Sequence, residues 1–240
     1  MTEAIIRLLT TTLCQLGMAI VLFFVFRHFG KTYQRQFLFT WAFAWLAYGV
    51  AVFGLAALTV HAPWSVKLDR IYFSLLIQFG TFLHCIFFLL GTQELVSGQT
   101  HTIRTKTIVP FVVLVVSISV VLIYSKSIEP HATDVRYFAR VGLRYAVVTG
   151  VFFYVGYVIS RSKKLASGLA LRLFLFSIVV YAFIQAAYLT IVLLNLSGKT
   201  IAIPSFFGVI DLLVISLMGL TMVMWLLEYE HEMLRKTNEE

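Results

Sequence analysis

The chain has 240 residues, of which 60% are hydrophobic and only 12% charged. A soluble domain of that size could not hide so much apolar surface, so a soluble globular fold is excluded. The formal net charge of +8 does not point to nucleic acid either. The basic residues are scattered through short stretches between apolar runs, form no contiguous basic face, and read as topology signals and contacts with anionic lipid headgroups.

Crossing the roughly 30 Å hydrocarbon core of a bilayer takes about 20 apolar residues. Seven segments of that kind follow one another, at about Ile5–Phe26, Phe37–Val60, Ile71–Leu95, Ile108–Tyr124, Tyr137–Ile159, Leu171–Leu196 and Phe206–Leu227. Most are hydrophobic all round, which suits membrane spans better than surface helices. The expected fold class is an all-α membrane protein, a seven-transmembrane-helix bundle with a cytoplasmic C-terminal helical extension. The first run lacks a basic leader, carries Glu3 ahead of it and ends in Arg27, so it is expected to stay as a helix. Cys14 and Cys85 fall at different depths, which predicts no disulfide and offers no metal-ligand spacing.

Orientation follows from the loops. The first loop holds Arg27, Lys31 and Arg35, the third Arg104 and Lys106, the fifth Arg161, Lys163 and Lys164, and all three are free of acids. The second and fourth loops mix in Asp69, Glu129 and Asp134, and the sixth carries only Lys199. The excess of positive charge puts the odd loops and the C-terminus in the cytoplasm and the N-terminus outside. The fourth loop, with Lys126, Arg136, Arg140 and Arg144, dissents and is outvoted. Trp64 and Tyr72 on the outer side, and Tyr33 and Trp225 on the inner, are expected as interfacial anchors. Pro204 and Pro110 are placed near the starts of the seventh and fourth helices, where a missing N–H costs nothing. Ala47, Ala51 and Gly54, and then Gly150 and Gly156, predict close helix packing.

Polar groups inside a membrane are costly and therefore become candidate site residues. Arg136, Arg140 and Arg144 are spaced four apart and drift only slowly around one helix face. Asp211 in the seventh span, Gln185 and Tyr188 in the sixth, Gln78 in the third and Gln15 in the first fall at similar depth. Together they outline a ligand-binding cavity in the outer half, with Arg140 and Arg144 holding a carboxylate or phosphate through paired N–H donors. Alternatively, Asp211 pairs with one of these arginines and fastens two helices; the two roles are compatible.

His84 reads as a hydrogen-bonded core histidine. With no second membrane histidine, and no lysine in the seventh span, neither haem nor retinal is expected, and no cofactor is assigned. Trp41, Trp45 and Tyr48 share one side of the second helix, as packing or as a pocket wall. Glu94 is expected to pair with Arg104 or Arg172. Past Leu227 the sequence turns charged and helix-favouring. Val223, Leu226 or Leu227, Glu230, Met233 or Leu234, and Thr237 follow a short three-four seam, of which Leu227, Glu230, Met233 and Leu234 are expected to transmit a signal.

Three stretches carry a resemblance: RHFGKTYQRQFLFTWAFAWLAYGVAVFGL from Arg27 to Leu55, FLHCIFFLLGTQEL from Phe82 to Leu95, and the final LLEYEHEMLRKTNEE. The chain resembles the N-terminal membrane sensor regions of bacterial signalling proteins, which precede diguanylate cyclase (GGDEF), histidine kinase or PAS domains. The resemblance implies an inner-membrane receptor, usually a homodimer, that passes a signal through its last helix to a cytoplasmic output domain. It implies residues 1–227 as sensor domain and 228–240 as signalling linker. No GGDEF motif or phospho-acceptor histidine module is present, so no catalytic residue carries over and no enzyme activity is expected. The expected partners are the bilayer, a small-molecule or lipid-like ligand, a second copy and an output domain. The alternatives are a small transporter or channel, and, last, a membrane-embedded enzyme.

Overall fold

A computed structural model of the chain describes residues 3–61, 67–123, 130–162, 168–199, 201 and 206–239. Its seven helices are α1 (Glu3–Thr32), α2 (Gln36–His61), α3 (Lys67–Ser97), α4 (Ile103–Leu122), α5, α6 (Leu169–Leu196) and α7 (Phe207–Glu239). Helix α5 has three parts, α-helical Pro130–Tyr137, a π-turn over Phe138–Gly142, and α-helical Leu143–Arg161. No strand occurs among the described residues. All seven helices are long and apolar enough to cross a membrane, which fits a multi-pass membrane protein. The outward faces agree. Phe111, Leu213 and Phe183 are each more than 60% exposed, an arrangement that lipid accepts and water penalises.

The helices outrun the apolar segments because polar turns extend them. Thr102 caps α4, its hydroxyl accepting from the Thr105 N–H at 3.2 Å, and the helix starts at Ile103. Pro110 therefore lies inside α4 and not in its first turn, a correction to the sequence reading; its missing N–H removes one bond of the helical ladder. At the far end of the chain, helix-favouring Glu, Met, Leu, Arg and Lys carry α7 unbroken through 33 residues, about 50 Å at 1.5 Å per residue. The start of that segment at Pro204, the anchor at Trp64, and the charges of Lys126, Glu129, Lys163 and Lys164 lie outside the described residues.

Packing is cyclic. α1 packs on α2, α2 on α3, α3 on α5, α5 on α6, α6 on α7, and α7 returns to α1. Helix α4 stands outside this ring, against α3 and the π-turn of α5. The α2–α3 pair is the most intimate, for a reason visible in the small residues. A Cβ added at Gly80 would lie 2.5 Å from the Ala51 backbone nitrogen and 2.7 Å from the Ala47 carbonyl oxygen. Gly54 packs on Leu76 and Ile77, where an added Cβ would lie 3.0 and 3.1 Å away. In α5 only half of the expectation holds: Gly156 meets Ile178, whereas Gly150 has no neighbour within 4 Å.

The half of the bundle nearer the C-terminus is filled with aromatic rings. Trp41 stacks on Phe88 and meets Phe26, Phe37, Phe174 and Trp225 edge to face. Trp225 is 1% exposed, so it belongs to this core and not to an interfacial belt; it faces inward because its α7 neighbours Met218, Met222 and Leu226 do too. Tyr72, by contrast, is well exposed, and Tyr33 is half-buried against Phe29.

Charges tie down the same end. Buried Glu94 takes Lys106 Nζ at 2.7 Å, the Thr40 hydroxyl at 2.6 Å and the His101 N–H at 2.9 Å. The partner is thus Lys106 and neither Arg104 nor Arg172; two residues along a helix turn the side chain by about 200°, which separates Arg104 from α3 where Lys106 faces it. Arg35 Nε donates to Glu230 at 3.1 Å, and the Glu228 carboxylate fills the space where a side chain at Gly168 would stand.

Candidate functional site

Six ring helices enclose a cavity of about 420 Å³ in the half of the bundle nearer the N-terminus, and α4 does not contribute. Each wall residue is presented by helical periodicity. On α6, Tyr181, Gln185 and Tyr188 recur at steps of four and three; on α1, Leu8, Thr12 and Gln15 do the same. Exposed Arg7, Leu8 and Val209 form the rim, and His84 lies among the deepest wall residues.

Asp211 of α7 is the central polar group. Its carboxylate accepts from the side-chain amide of Gln185 at 3.0 Å and from that of Gln15 at 3.4 Å. The two glutamines join α1, α6 and α7 across the cavity. No lysine or arginine nitrogen of the described residues comes within 4.0 Å of this carboxylate. Among the described residues, then, Asp211 is held by neutral amides and not by the arginine that the fastening alternative invokes.

Arg144 faces the same cavity from α5. Its guanidinium lies 4.8 Å from the Tyr145 ring centroid and donates to the Tyr145 hydroxyl at 3.1 Å. Tyr145 stacks on Tyr188 at 5.0 Å, and Tyr188 meets Phe207 of α7 edge to face. A cation–aromatic stack therefore runs from α5 through α6 to α7, its faces favourable to positive charge.

The other sequence-derived candidates separate from this group. Arg140 does not line the main cavity; its Nε and Nη2 both donate to the Val121 carbonyl, at 3.0 and 2.5 Å, which satisfies an orphan acceptor at the end of α4. The cause is the π-turn at Phe138–Gly142, whose wider winding rotates Arg140 away from the face that carries Arg144. Arg136 and Arg140 line a separate hollow with Ser74 and Tyr137, and Arg144 borders both. Gln78 is buried off the cavity wall, its side-chain nitrogen without a partner among the described residues.

Several wall residues carry no distinctive sequence signal. Thr11, Thr12 and Thr81 look like ordinary span residues, and Arg7 like a loop charge, until the helices are assembled; Arg7 pairs with Glu3 at the rim. Tyr181 is missed by the sequence reading, although its spacing from Gln185 and Tyr188 on a largely apolar helix could have found it. Tyr48, Tyr181 and Tyr188 are all buried, and their hydroxyls make no hydrogen bond among the described residues. His84 donates from Nδ1 to the Ala44 carbonyl at 2.8 Å and stacks on Phe152, a core histidine that also borders the cavity.

The expected signalling residues also divide. Glu230 is buried on Arg35 and Leu226 is fully buried, while Leu227 is exposed. One side of the three-four seam is therefore committed to the chain's own bundle. Met233 and Leu234 lie on α7, but their side chains are outside the described residues.

The fold and the cavity define a class, a seven-helix membrane bundle with an internal, mostly apolar pocket that carries a few polar and charged groups. No protein-family model, curated protein or solved structure matches the chain.

Proposed function

We propose that the chain is the membrane-embedded input module of a bacterial receptor. It binds a small or amphiphilic ligand in the cavity around Asp211 and Arg144 and transmits through α7. One observation carries this reading: α7 supplies Gly208, Val209 and Asp211 to the cavity and continues without a break to Glu239. A ligand that touches Asp211 touches the element that leaves the bundle at its opposite end. The aromatic packing around Trp41 and Trp225 lies between the two and gives a close-packed core, which switches between discrete arrangements more readily than it deforms.

On this reading the N-terminus lies outside and the C-terminus in the cytoplasm of the inner membrane, because Arg27, Lys31, Arg35, Arg104, Lys106 and Arg161 gather at the end where α7 emerges. The partners are the bilayer, a second copy of the chain and an output domain such as a diguanylate cyclase or histidine kinase. Ligand binding shifts a population between two packings and must therefore favour one of them.

The test is a small-molecule thermal-shift screen on the purified chain in detergent, followed by distance measurement between labels at Thr32 and Thr237 in bilayers. A binder that changes that distance in the wild type, and not in Arg144→Ala, supports the receptor. Solute uptake or ion current through liposomes carrying the chain would favour the transporter alternative and overturn it.

A further inference from the structure

The cavity holds an acid and a base that make no direct ion pair with each other. Asp211 is turned toward the amides of Gln15 and Gln185, and Arg144 lies along Tyr145 and donates to its hydroxyl. Among the described residues no carboxylate lies within 4.0 Å of the Arg144 guanidinium, and no basic nitrogen lies that near to Asp211. Both side chains nevertheless line the same 420 Å³ space. A carboxylate and a guanidinium at this depth are costly to leave without counter-charges, so the arrangement selects for an occupant that supplies both.

The remaining wall chemistry fits the positive end of such an occupant. The buried rings of Tyr48, Tyr181 and Tyr188 surround the cavity, and their hydroxyls have no partner among the described residues. Tyrosine offers a ring face to a cation and an oxygen lone pair to an N–H. An acid without an ammonium would meet repulsion from Asp211, and an amine without an acid would meet it from Arg144. Discrimination against singly charged molecules is thus built in as repulsion as well as attraction.

We infer that the cavity takes a zwitterion, its ammonium on Asp211 among the tyrosines and its carboxylate or phosphate on Arg144. This names the ligand class of the proposed sensor and rests on that reading. The chemistry is shared by two sources, a free amino acid or phosphoamine and the headgroup of phosphatidylethanolamine.

The full chain, purified in a maltoside detergent without added lipid, is titrated with leucine and phosphoethanolamine. The halves that carry only one sign of charge are titrated in parallel: isopentylamine, 4-methylpentanoate, ethanolamine and inorganic phosphate. Unfolding midpoints are the readout, and nanodiscs of phosphatidylglycerol with and without phosphatidylethanolamine form the headgroup arm. At least one zwitterion, free or as headgroup, raises the midpoint, with its halves at least roughly tenfold weaker. Losing a hydrogen bond to a charged group predicts that Asp211→Asn and Arg144→Gln each weaken binding roughly tenfold to a hundredfold, and that Arg144→Lys restores part of it. If Asp211→Asn lowers the ligand-free midpoint, Tyr188→Phe carries the test, with a loss of roughly threefold to tenfold.

A shift with the free molecules identifies a soluble ligand, and a shift confined to phosphatidylethanolamine discs identifies the headgroup; both support the inference. A half that binds as tightly as the whole, and is weakened by Arg144→Gln or Asp211→Asn, overturns the zwitterion and leaves the cavity as the sensing site. No shift with any zwitterion in either medium also overturns it, while the Thr32–Thr237 distance experiment decides the receptor reading separately.

Discussion

Trp41 of α2 and Trp225 of α7 meet edge to face with ring centroids 6.2 Å apart, and both are essentially inaccessible. The contact joins the ring of helices to the last turns of α7 before it turns polar. Trp225 also touches Tyr229, one turn further on, so the aromatic core reaches the charged extension.

Trp225→Ala removes the largest buried side chain of α7. Aromatic-to-alanine changes in soluble cores cost about 3–5 kcal/mol; lipid is itself apolar, so the transfer part of that cost shrinks and the cavity part remains. A loss of about 2–3 kcal/mol is expected in reversible unfolding in mixed micelles.

The Glu94–Lys106 pair should show strong coupling. Glu94 is buried and satisfied by three donors, so Glu94→Ala leaves the Lys106 ammonium without its counter-charge, held only by the Thr40 hydroxyl, and the His101 N–H without its acceptor, a loss of about 3 kcal/mol. A double-mutant cycle over Glu94 and Lys106 is expected to give a coupling of about 1–3 kcal/mol. The exposed Glu3–Arg7 pair should give close to none.

Arg140 and Arg144 are expected to behave differently although they sit four residues apart. Arg140→Ala removes two donors from the Val121 carbonyl and should cost about 1–2 kcal/mol of stability while ligand response persists. Arg144→Ala should abolish the response with a smaller effect on unfolding. Binding and stability measured on the same two variants check this.

Glycines give a test of the packing itself. Gly80→Ala drives a methyl group into the Ala51 backbone and should destabilise the α2–α3 pair by more than about 2 kcal/mol. Gly150→Ala meets nothing and should be neutral or stabilising by up to about 1 kcal/mol through helix propensity.

The spans and the unbroken last helix were legible because all-round hydrophobicity and the absence of breakers are local properties. Asp211, Gln185, Tyr188 and Arg144 could be grouped because each is costly in lipid, and rough depth can be counted along a span. Ring order could not be read, since apolar faces with no polarity contrast do not declare their neighbours. Nor could the fate of Arg140: a π-turn changes register with no proline or glycine needed to announce it, and it sends an equally spaced arginine to another helix. Glu94 was recognised as structural but given the wrong partner, because where α4 starts and how it is rotated about its axis decide which of Arg104 and Lys106 faces α3. The seam on α7 failed to reveal that Glu230 answers Arg35, a pairing 195 residues apart in sequence.

Arg35→Ala should loosen the end of α7 alone. The pair is partly exposed, so the global effect is expected to be under about 1 kcal/mol. Amide hydrogen exchange should quicken beyond Glu228 and stay unchanged around Asp211.

That the ring closes without α4 gives the molecule a spectator. A dye or spin label on the lipid-facing side of that helix, at Phe111 for instance, would ride along with the assembly while leaving the enclosed space and the emerging stalk chemically intact. For any experiment that must watch this protein at work without disturbing it, the flank is the place to attach the instrument.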